Sequence, residues 1–105
     1  MICFGYPLCG AGDRSRMRDA VLRKLTTPIL FLQGTRDNLC PLDLLDEVRA
    51  GMTAPTRLHV VAGGDHSLVV TKRRLRGEAI TQGDVDQGIA VEVDQFTKAI
   101  VSGTG

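Results

Sequence analysis

Cysteine is sparse in this chain of 105 residues, and Cys3, Cys9 and Cys40 are all there is. The count is odd, no C-x-x-C pair occurs, and no Cys/His spacing suits zinc. This argues against a disulfide framework and a structural zinc site and for a reducing compartment. Cys3 lies in an apolar run and reads as a small core residue. Nothing in the sequence activates Cys9 or Cys40 as a thiolate. An excess of one charge is also lacking. Lys+Arg 13 against Asp+Glu 12 leaves a formal net charge of +1, too little to attract nucleic acid or an anionic membrane. Long apolar runs are missing as well. Stretches such as Ile29 to Leu32 fall far short of the roughly 20 residues of a membrane span, and no basic segment precedes an apolar core at the start. With 43% hydrophobic and 24% charged residues, the expectation is an intracellular, cytoplasmic globular domain or part of one, with no membrane and no nucleic-acid partner.

What is present is an alternation of apolar runs and helical patterns. Ile2-Cys3-Phe4-Gly5-Tyr6, ended by Pro7, reads as a buried strand, and residues 7 to 18 as a loop. Asp19 to Lys24 reads as a helical turn. Pro28 to Gln33 is an apolar run without alternation, the pattern of a strand covered on both faces of a parallel sheet. After the turn chemistry of Gly34 to Asn38, Pro41 suits a first helical turn. Leu42, Leu45, Val48 and Met52 then follow at helical spacing up to Gly51 and Pro55. Arg57 to Val61 reads as a second strand of the same kind, ending in Gly63-Gly64-Asp65-His66-Ser67. Residues 71 to 85 read as polar and irregular. A long helix is predicted from Asp86, with Ile89, Val93, Phe96 and Ile100 on its apolar face, before a frayed end at Ser102 to Gly105. The order implies an α/β architecture with three mostly parallel strands and flanking helices. Strands this apolar are expected to have neighbours on both sides, so a wider sheet is expected upstream of Met1.

In open α/β sheets the chemistry collects at the carboxyl ends of the strands. Two such ends carry candidate groups: Asp37 after the strand 28 to 33, and His66 after the strand 57 to 61. They are 66 − 37 = 29 residues apart and fall on the same edge of a parallel sheet. A buried carboxylate there would orient the imidazole, fix its tautomer and stabilise its protonated form, making it a general base. The competing readings are structural. Asp37 alone suits an Asx-turn or a helix cap, and His66 alone suits a loop histidine bonded to backbone. His59, inside a strand, is expected to face a sheet surface. A nucleophile is harder to find. No G-x-S-x-G elbow is present, and Ser15, Ser67 and Ser102 do not stand on a strand-to-helix turn. There is no G-x-G-x-x-G and no P-loop, so no nucleotide or other cofactor and no metal is expected. Lys72-Arg73-Arg74-Leu75-Arg76 places four positive charges in five residues. It reads as a solvated surface loop, the alternatives being a nuclear-import signal or a contact for an acidic partner.

Several stretches together resemble the C-terminal half of an α/β-hydrolase-fold protein. They are Phe4-Gly5-Tyr6-Pro7-Leu8, Met17-Arg18-Asp19 with Leu22, Thr27 to Asp37 ending in Gly34-Thr35-Arg36-Asp37, and Leu58 to Val61 followed by Gly63 to Ser67. The likeness is to the group with testis-expressed protein 30, dienelactone-hydrolase-like proteins and the third regulatory subunit of the nonspecific-lethal histone acetyltransferase complex. The basic segment, Ile80-Thr81-Gln82, Val85-Asp86 and the final helix look more like the last of these. The resemblance implies that Asp37 is the acid and His66 the base of a catalytic triad acting on a small ester-type substrate. It also implies that the serine and the oxyanion-hole donors belong to upstream strands, so that this chain alone would be inactive. The alternative it implies is a noncatalytic, nuclear scaffold subunit with a protein partner.

Overall fold

A computed structural model describes residues 1–6, 8 and 20–101. Its elements run β1 (Ile2–Phe4), α1 (Ala20–Lys24), β2 (Ile29–Gly34), α2 (Leu42–Ala50), β3 (Thr56–Val61), α3 (Lys72–Gly77) and α4 (Gln82–Val101). The three strands form one sheet in the order β1-β2-β3. Both ladders are parallel, with Ile2 opposite Leu30 and Ile29 opposite Thr56.

The unbroken apolar run of β2 makes it the centre of the molecule. All six of its residues are buried, and the two-residue period of a strand divides them between two cores. Ile29 and Phe31 pack with Leu22, Cys40, Leu45 and Val48, beneath α1 and α2. Leu30 and Leu32 pack with Val61, Leu68, Val70, Leu75, Ile89 and Phe96, beneath α3 and α4. Ile29, Leu30, Phe31 and Leu32 each contribute about 2 kcal/mol by leaving water, so β2 holds both helical layers to the sheet. The product is a three-layer α/β/α arrangement with the sheet in the middle.

The structure corrects several expectations. β1 stops at Phe4 rather than Tyr6, because Gly5 turns the chain with φ +59°. β3 is less enclosed than β2: it is an edge of the sheet, and Arg57 and Val60 are exposed. Pro41 stands at the N-cap of α2, just outside the helix. Ile100, placed by the periodicity on the apolar face, is 39% exposed near the end of α4. The segment read as irregular contains helix α3 and the first turn of α4. α3 is capped by Thr71, whose hydroxyl accepts from the Arg74 N–H, and is pinned to the core by the buried Leu75. Past its end at Gly77 the chain turns at Ala79 with φ +54°, and the Ile80 N–H reaches back to the Leu75 carbonyl over 3.0 Å. α4 begins four residues before Asp86 because Thr81 and Asp84 form a reciprocal cap. The Thr81 N–H donates to Asp84 Oδ2 at 2.8 Å, and the Asp84 N–H donates to Thr81 Oγ1 at 3.1 Å. Among the described residues no helix is long and apolar enough to cross a membrane. The expected loop 7–18, apart from the buried Leu8, and the end 102–105 lie outside the described residues.

Candidate active site

Parallel pairing brings the carboxyl ends of all three strands to one edge, and the loops leaving β2 and β3 are tied together there. The Thr35 N–H donates to the Val61 carbonyl at 3.2 Å, and the Arg36 N–H donates to the Gly64 carbonyl at 2.9 Å. The Gly63 N–H donates to Thr35 Oγ1 at 2.7 Å. Gly34 and Gly64 make this approach possible. A Cβ on Gly34 would stand 2.2 Å from the Gly64 carbonyl oxygen.

The tied loops bring Asp37 and His66 together. His66 Nδ1 lies 2.8 Å from Asp37 Oδ2. The Asp37 side chain is 1% exposed and that of His66 is 46% exposed. An ionised carboxylate only accepts, so Nδ1 is the donor of this bond, and in the neutral imidazole the lone pair is then on Nε2. The Leu39 N–H donates to Asp37 Oδ1 at 2.9 Å, so the Asx-turn and the histidine partner occupy different oxygens of the same carboxylate. The turn and the contact with His66 therefore do not exclude one another.

Two residues that the sequence did not single out complete the setting. Gln33, the last side chain of β2, is buried, and its Nε2 donates to Asp37 Oδ2 at 2.9 Å. Its Oε1 is buried with no hydrogen-bond partner among the described residues. One polar residue closing an otherwise apolar buried run was the signal for it. Gly5, at the end of β1, is the second. A Cβ there would meet the His66 carbonyl oxygen at 2.4 Å and Nδ1 at 3.2 Å, so only glycine lets the first strand end against the pair. Replacing Gln33 by leucine removes a hydrogen bond to a charged acceptor. The expected cost is about 2 kcal/mol, measured by urea unfolding of Gln33→Leu against the parent.

The loop carrying His66 is held from within. The Asp65 carboxylate accepts from the N–H groups of Ser67 at 2.9 Å and Val69 at 3.0 Å. The Val69 N–H lowers the Asp65 carboxyl below the usual aspartate value. Partial burial opposes this, and the Ser67 N–H, Arg36 and His66 add to the lowering. Leu68 takes φ +65°, a conformation that costs a branched residue about 1–2 kcal/mol. It is held there by burial in the α4-side core.

The remaining candidates fall elsewhere. His59 faces α4 from the middle of β3, with Nδ1 4.0 Å from Glu92 Oε1. Arg57 donates to the same carboxylate at 3.2 Å. Cys40 is buried in the α2-side core. Cys3 is half-buried, and burial pushes its thiol up, against thiolate formation. Cys9, Ser15 and Ser102 lie outside the described residues. Among the described residues no group of three or more His, Cys, Asp or Glu side chains is gathered to hold a metal ion.

The family described as the alpha/beta hydrolase domain matches residues 1–98. The chain belongs to this family. No solved structure matches it. Membership agrees with the parallel sheet flanked by helices. Within such a domain, residues at the carboxyl ends of adjacent strands are well placed to act on one substrate.

Proposed function

We propose that Asp37 and His66 are the acid and base of a serine hydrolase acting on esters or similar carbonyl compounds. In this reading the chain is the C-terminal portion of the domain, and the nucleophile stands on an elbow encoded upstream of Met1. One observation carries it: a buried carboxylate bonded at 2.8 Å to a half-exposed imidazole where two neighbouring parallel strands end. The serine oxygen would attack the carbonyl carbon as His66 Nε2 takes its proton. Asp37 would hold the Nδ1–H and balance the imidazolium. His66 would then pass the proton to the departing alkoxide, and water would repeat the sequence to release the acid. Within the family, the Gly34–Asp37 and Gly63–Ser67 motifs support a place beside testis-expressed protein 30 and the dienelactone-hydrolase-like proteins. The scaffold alternative gives the Asp37–His66 bond no role, which is why the hydrolase reading is preferred.

The test is turnover of p-nitrophenyl esters. The 105-residue chain is expected to show none above buffer. A polypeptide extended upstream at its locus to include a G-x-S-x-G elbow is expected to be active. A substituted serine at that elbow would favour the scaffold. Turnover by the chain alone that vanished in His66→Ala would place the nucleophile within it, at Ser67 or a cysteine.

A further inference from the structure

The basic segment does not belong to the acid–base pair. As helix α3 it sorts its four cations onto different sides. Arg74 serves the fold: it pairs with Glu78 at 3.4 Å, and its stem lies over Gly63, where a Cβ would meet Arg74 Cδ at 2.3 Å. Lys72, Arg73 and Arg76 are exposed, and among the described residues no carboxylate pairs with them. Lys72 and Arg76 are one helical turn apart and therefore share a face. Between them and the start of α4 lies an open groove of about 360 Å³, its exposed lining mostly apolar, formed by Lys72, Leu75, Arg76, Ile80, Thr81 and Gln82. Its walls are fixed. Leu75 is buried. Gln82 accepts from the Val70 N–H and donates to the Leu68 carbonyl and to Asp86. The nearby carboxylates Glu78 and Asp84 are engaged with Arg74 and with the α4 cap.

We propose that this face of α3 is a docking site for an acidic peptide segment of a partner protein, with one apolar anchor side chain seated in the groove. The carboxylates flanking the anchor pair with Lys72 and Arg76, and with Arg73 beside them. Charge complementarity selects the class of partner, and the groove beside the charges selects a peptide. A phosphate backbone has no apolar group to set against Leu75 and Ile80, and three cations on one short helix would neutralise few phosphates. A membrane is disfavoured because the single apolar side chain of α3, Leu75, points into the core and leaves nothing to insert. The lining includes neither Asp37 nor His66, and the site stands whether or not that pair hydrolyses an ester.

The experiment is selection of short random peptides displayed on phage against the purified chain, with affinities of the selected peptides then read by fluorescence polarisation. The expected consensus is Asp and Glu flanking a Leu, Ile, Met or Phe. Kd should rise at least about tenfold in Lys72→Glu/Arg76→Glu, rise similarly when the peptide's anchor is changed to serine, and rise with added salt. Both side chains are exposed, so circular dichroism should show the reversed variant folded. Should it not fold, Lys72→Gln/Arg76→Gln carries the same comparison. Three results would overturn the proposal: no acidic-apolar consensus, equal affinity for parent and charge variants, or tighter binding to single-stranded RNA or phosphatidylserine vesicles than to any selected peptide.

Discussion

His66→Ala is expected to lower ester hydrolysis by about 10⁶-fold, mainly in kcat, in an upstream-extended polypeptide that carries the proposed serine elbow. The expectation follows from where the protons sit. With Nδ1 committed to Asp37 at 2.8 Å, Nε2 is the nitrogen able to take a proton from an attacking hydroxyl. Asp37→Asn should cost about 10⁴-fold; its NH2 would also face the Gln33 or Leu39 donor, so circular dichroism of the variant accompanies the kinetics. An amide nitrogen facing Nδ1 would favour the opposite tautomer, with the proton on Nε2, and the base would be lost. Steady-state kinetics of both variants decides the matter. If either kept more than about a tenth of the parent kcat, the pair would be structural.

The second large effect is on stability. Gly34→Ala is expected to cost about 3 kcal/mol, at the upper end of what overpacking usually does. The new Cβ would meet the Gly64 carbonyl oxygen at 2.2 Å, the Gly64 carbonyl carbon at 2.5 Å and the Asp65 oxygen at 2.6 Å. All three are backbone atoms and cannot swing aside as a side chain would, so the β3 loop must lift away. The Arg36-to-Gly64 bond and the placement of His66 go with it. Urea unfolding measures the loss. Gly77→Ala is the matched control: its Cβ meets nothing within 4 Å, so stability should hold or rise by about 0.5 kcal/mol. Equal effects at the two positions would mean that the close approach of the loops contributes little.

The sequence made some of this plain and hid the rest for physical reasons. β2 was legible because a buried central strand needs an apolar residue at every position, and Ile29 to Leu32 supplies them. The strand-end positions of Asp37 and His66 followed from that. α3 was not legible, since its six residues hold one apolar side chain and no period can be read from one point. Its helix depends on the Thr71 cap and on Leu75 reaching a core built from distant segments. The start of α4 was readable in principle from Thr81 and Asp84, but Gly83 and Gly88 obscured the helical pattern. Gln33 and Gly5 matter through neighbours far along the chain, which spacing alone does not reveal.

The all-parallel sheet also sets the order of events when the chain folds. Ile2 pairs with Leu30 and Ile29 with Thr56, so the two ladders close segments of 30 − 2 = 28 and 56 − 29 = 27 residues. No hairpin nucleates either ladder. Each must meet its loop-closure entropy before its pairing energy is realised. Helices such as α4 can form early, whereas the β2–β3 register that sets Asp37 against His66 has to wait for the whole middle layer. The contact between these two side chains is thus a late reporter of folding, and it should be lost together with the sheet rather than by local fraying.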